Sequence, residues 1–207
     1  MRQKLIIALT ILIVLFTACS SGGGKNVHEE HEMNKDTSSH AITANDKEVE
    51  EVAVTFTHVD RNVSASLQEI VGHYLQIKNA LADDNAKQAA NGANAMEKVL
   101  NKLDKSLLTA EQKAGYDQGE DELKEHAEHV GKNSDNIKHQ RSHFSMMSEV
   151  MYNLVKAFGA GQPIYHDHCP MYNENRGAMW LSETKEIKNP YFGAEMPRCG
   201  TVEEVIK

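Results

Sequence analysis

Large aromatic rings are scarce: they make up 6% of the 207 residues, with a single Trp, and proline occurs only four times. So little ring surface argues against a sandwich core and for aliphatic helix packing. Basic residues are also short, with 22 Lys and Arg against 30 Asp and Glu and a formal charge of −8. Without a basic surplus to neutralise phosphates, nucleic acid is excluded as the main partner. Three cysteines are too few for a disulfide-framework miniprotein. No zincin helix, phosphate-binding glycine loop, serine elbow or Cys-x-x-Cys pair occurs, so an enzyme is not expected. Nor does the chain carry paired Glu-x-x-His motifs for a di-iron bundle or Cys-x-x-Cys-His for covalent haem. What it does have is 11 His and 9 Met, in a length that suits one domain with extensions.

Arg2 and Lys4 precede an apolar run from Leu5 to Phe16, followed by Thr17-Ala18-Cys19. That order of positive, apolar and small residues is an export signal, too short for a comfortable transmembrane helix. The ending resembles a bacterial lipobox, which implies cleavage after residue 18 and a lipid on Cys19. The expected location is therefore the cell envelope, facing the periplasm and tied to a membrane by the lipid. Residues 19–58 read as a flexible tether, because no period of 3.6 or 2 is sustained there. Within it His28-Glu-Glu-His31 offers a weak divalent-metal site, and Val52 to Phe56 alternates briefly like a strand.

Helical periodicity begins near residue 59. Val63, Leu67, Ile70, Tyr74, Ile77 and Leu81 recur every three or four positions, the stripe a helix needs to bury one face. A second stripe runs from Ala86 to Leu107. Thr109 and Gln112 then fit a capping box for a third helix, carrying Tyr116, Leu123, Ala127 and Val130. The fourth is the strongest, with Ile137, Phe144, Met147, Met151, Leu154 and Phe158 before Gly159. Short connections between four such helices predict an all-α fold: an antiparallel four-helix bundle over 59–161 with an irregular carboxy-terminal hook over 162–207, packed on it as one domain.

Both remaining cysteines lie in the hook. Pro170 biases Cys169 toward an extended backbone, which lets Cys169 and Met171 fall on one side, while Met196 and Cys199 are three apart. Two thiolates and two thioethers can converge there, with His166 or His168 as imidazole donors, and such soft donors select Cu(I). Zn(II) also suits thiolate and imidazole. Equally open is a disulfide between Cys169 and Cys199, worth roughly 3.6 kcal/mol by loop-closure entropy. In that case the hook is clamped and the protein is a structural or interaction module.

The motifs Cys169-Pro-Met171, Trp180-Leu-Ser182, Asn189-Pro-Tyr-Phe-Gly193 and Met196-x-x-Cys199-Gly200, with His143-Phe upstream, resemble a domain-of-unknown-function family common in Bacteroidota. Its members occur as exported lipoproteins and attached to efflux adaptors of the copper and silver type. The resemblance implies copper handling as a chaperone, scavenger or efflux accessory, with an efflux adaptor or pump as partner.

On the fourth helix His139, His143 and Met146 form a second stripe beside the core stripe. His143 is the preferred extra ligand for a docked hook, with His139 as a weaker donor. His126 and His129 share a face of the third helix, but Glu122, Glu125 and Glu128 around them read as a solvated polar surface.

Overall fold

The computed structural model describes residues 49–207, which fold as one compact unit. A short strand β1 (Glu50–Val52) leads into helices α1 (Arg61–Ala82), α2 (Ala86–Leu100), α3 (Ala110–Asp117), α4 (Glu120–Lys132) and α5 (Ile137–Phe158). Strands β2 (Ile164–Cys169), β3 (Ala178–Ser182) and β4 (Thr201–Ile206) follow. Cys19, His28 and His31 lie outside the described residues. Among those described, no helix is long and apolar enough to cross a membrane.

The helices start where local chemistry satisfies free amide groups. Asp60 accepts from Asn62 and Val63 at the head of α1, and Asn85 and Asn136 do the same for α2 and α5. Thr109 and Gln112 form the reciprocal capping box at α3. The core is the stripe expected from the sequence: Ile70, Tyr74, Ile77, Leu81, Met96, Leu123, Phe144, Met147 and Met151 are all buried. The third helix departs from expectation by dividing into α3 and α4 at Gly119. A β-carbon at Gly119 would collide with the Val150 side chain of α5, so only glycine fits at the break without that side chain moving. α1, α2, α4 and α5 pack around one core, with α3 beside them.

The all-α expectation is wrong, because the carboxy-terminal segment is a sheet. Its order is β1-β4-β2-β3, with β1 parallel to β4 and the other pairs antiparallel. β1 comes from the stretch read as tether, where Val52 aligns with Ile206. Two features hid the strands. β3 reads Ala178-Met-Trp-Leu-Ser182 and is buried at four of its five positions, so it shows no alternation of polar and apolar residues. β4 carries a bulge: His166 pairs with Glu204 and Asp167 with Val202, leaving Glu203 between them without a partner. One extra residue puts the strand's period out of phase.

The sheet covers the α1–α5 side of the bundle. Tyr74 is the main tie, its hydroxyl paired with Ser148 Oγ at 2.7 Å and accepting from Leu181 N at 3.0 Å. Lys78 and Asn79 donate to the two oxygens of Glu183 at 2.7 and 2.8 Å. Arg141 reaches Pro190 O, Leu81 O and Asp84 Oδ1, joining α5 to both the α1–α2 turn and the loop before β4.

Candidate metal centre

α4 and α5 form a helical hairpin across residues 133–136, so positions equally far from the turn face one another. α4 carries histidines three apart and α5 carries histidines four apart, which places each pair on one face. The result is a cluster of four imidazoles. His129 Nδ1 lies 3.3 Å from His139 Nε2, and His126 Nδ1 lies 3.3 Å from His143 Nδ1. The rings of His129 and His143 stack at 4.0 Å with 5° between planes, and His139 to His143 is 4.5 Å. His129, His139 and His143 can each offer a ring nitrogen within 4.8 Å of the others.

His129, His139 and His143 are the group close enough to share a cation, with His126 paired to His143 outside it. Nitrogens bound at about 2.05 Å around a tetrahedral ion stand about 3.3 Å apart, the spacing seen in both close pairs. Two of its imidazoles are biased toward the neutral form. Burial first, then the neighbouring charges of His129, His139 and His126, push His143 down to about 4. Burial likewise lowers His126, against the pull of Glu125 and Glu122. Neutral imidazoles keep the lone pairs that a metal requires. His126 is buried while the other three are half-buried, so the site is reachable from solvent. The face read as a solvated surface from its glutamates is thus part of the cluster. Two histidine pairs flanking one short helical connection were the signal for it.

Cys169, at the end of β2, and Cys199, in the turn before β4, bring their Sγ atoms to 3.1 Å. The Cys199 thiol is raised, by its hydrogen bond with Cys169 and then by burial. A disulfide needs a further approach of about 1 Å. The other proposed ligands are distributed elsewhere. His143 belongs to the helical cluster. His166 and His168 alternate with Asp167 and Cys169 along β2 and are more exposed than either, so they occupy the opposite face of the sheet from the buried thiol. Met171 is 48% exposed beyond the end of β2. Met196 is half-buried, in the turn closed by Cys199 N donating to Met196 O.

A family model described as Protein of unknown function (DUF3347) matches residues 70–163. That span runs from within α1 to the start of the sheet region, so it contains the whole histidine cluster. It stops before Cys169 and the motifs that follow, and its description carries nothing about export or efflux. No curated protein and no solved structure matches the chain.

Proposed function

We propose that this protein captures copper reversibly at the imidazole cluster of His126, His129, His139 and His143, without catalysing a reaction. The observation that carries this reading is the pair of 3.3 Å nitrogen separations between α4 and α5. Imidazole accepts both Cu(I) and Cu(II), and for nitrogen donors copper binds more tightly than zinc. Zn(II) is the lesser alternative. The cysteine pair adds a soft dithiol that suits Cu(I) while it is reduced. An imidazole site has the advantage of working whether those thiols are free or joined.

The export signal and Cys19 support a lipid-anchored protein in the periplasm, handing copper to an efflux adaptor or pump or holding it as a scavenger. Chelator-competition titration of the full chain with Cu(II), and anaerobically with Cu(I), tests the site. His139→Gln with His143→Gln should weaken Cu(II) binding by about 100-fold or more. Unchanged affinity would refute the cluster as the site.

The 3.1 Å thiol spacing favours a second reading, in which a Cys169–Cys199 disulfide clamps the sheet of a structural or interaction module. Thiol counting on freshly purified protein separates the two. Blocked cysteines with no copper uptake would favour the clamp alone.

A further inference from the structure

Most of the described methionines are packed away. Met96, Met147 and Met151 are fully buried in the core, and Met179 and Met196 are half-buried. Met146 differs: it is 40% exposed although it adjoins Met147 on α5. Its thioether therefore does not serve the core.

Contacts on either side fix where it stands. On α5 it falls between His143, whose Nδ1 lies 3.3 Å from His126 Nδ1 of α4, and Val150, which a β-carbon at Gly119 of α4 would strike. Met146 thus borders the α4–α5 groove next to the histidine cluster. His139, His143 and Met146 are four and three apart, within an arc of about 60° around the helix. Long side chains on a helix lean back over the turn that precedes them, which carries the Met146 thioether toward the His143 ring. Side chains three apart start about 5–6 Å from each other at Cβ, so an ion held by His143 is within the thioether's reach. Between the same two contacts α4 offers Leu123, which is buried and brings no donor.

We infer, on the reading that His129, His139 and His143 hold copper, that Met146 is a specificity-determining ligand that joins them when the ion is Cu(I). A thioether is neutral, soft and polarizable, so it favours Cu(I) over Cu(II) and Zn(II). The three imidazoles alone suit all of these ions. Adding Met146 tips the site toward the reduced one. Its exposure has a second consequence. Met146 is the donor that an incoming ligand displaces first, so release of Cu(I) starts at the rim of the groove and not among the half-buried rings.

The test is copper-edge X-ray absorption on the full chain, labelled with selenomethionine and loaded anaerobically with Cu(I) at one ion per chain, which tells a thioether ligand from a thiolate. Imidazole nitrogens and a selenium neighbour are expected around the copper, with the selenium lost in Met146→Leu. That variant keeps the apolar bulk and should bind Cu(I) at least about tenfold more weakly, while its Cu(II) and Zn(II) affinities stay unchanged. Equal weakening for all three ions would mark a structural defect and overturn the inference. Copper surrounded by imidazole nitrogens without selenium overturns it and leaves the histidine site standing. Selenium that persists in Met146→Leu belongs to another methionine and also overturns it. Copper bound by sulfur with neither imidazole nor selenium removes the underlying reading and the inference together.

Discussion

The α4–α5 hairpin and the β2–β3 face toward α1 both bury titratable groups in their neutral forms, but they approach neutrality from opposite sides. His143 is a base held below its ordinary pKa, first by burial and then by the neighbouring histidines. Behind β2 the group is an acid that keeps its proton. Asp167 is fully buried, its two carboxyl oxygens have no hydrogen-bond partner, and burial pushes it up to about 8 although Lys78 pulls the other way. The difference separates a half-buried cluster of bases from a fully buried acid whose oxygens have no hydrogen-bond partner. On the proposed reading, imidazoles biased toward the neutral form become useful when an ion arrives. A neutral carboxylic acid beneath the sheet is a cost of the fold that rises with pH.

That contrast can be broken most strongly at Asp167. Its folded pKa lies above the unfolded value, so between about pH 4 and pH 8 the unfolded chain gives up a proton that the folded one retains, and stability falls as pH rises. Asp167→Asn should remove this slope and raise stability at pH 8 by about 3 kcal/mol. Urea melts at pH 5 and pH 8 read it directly. Next comes copper: free ion at 100 times its dissociation constant should stabilise the protein by about 2.7 kcal/mol. Thermal melts should show that gain vanish in the His139→Gln/His143→Gln variant and on chelation.

A smaller effect, with the opposite pH sign, belongs to His143. Its folded pKa is depressed, so in metal-free protein its contribution is present above about pH 6.5 and lost as pH falls toward 4. His143→Gln should flatten that part of the profile by roughly 1 kcal/mol after allowing for solvent screening. Denaturant melts at pH 4.5 and 7 measure it. Thr109→Ala is the mildest change, costing about 1 kcal/mol or less through the lost cap. It should leave copper affinity unaltered, because α3 lies outside the cluster.

The helical part was readable from sequence because one physical rule, the buried stripe, governs it. Leu67, Tyr74, Met147 and Phe158 each mark a face correctly, and the capping box at Thr109 was visible as two residues at fixed spacing. The sheet was not readable for local reasons. Trp180-Leu181-Ser182 is buried without alternation, and the bulge at Glu203 shifts the period of β4. The candidate metal-site residues were legible only in part. His139 and His143 stood out beside a core stripe, whereas His126 and His129 were masked by the exposed glutamates Glu122, Glu125 and Glu128 interleaved with them. Their pairing depends on the α4–α5 turn bringing the two faces together, which no single-helix pattern contains. The cysteines were singled out as a pair, and their Sγ atoms lie 3.1 Å apart. Strand alternation then put His166 and His168 on the other side of the sheet from Cys169, a consequence that required knowing β2 was a strand.

Electron paramagnetic resonance of the protein loaded with one Cu(II) per chain, compared with the His139→Gln/His143→Gln variant, tests the central claim most directly. The account predicts a single signal split by several imidazole nitrogens, replaced in the variant by a different and more weakly bound signal. An unchanged spectrum at unchanged affinity in the variant would contradict it.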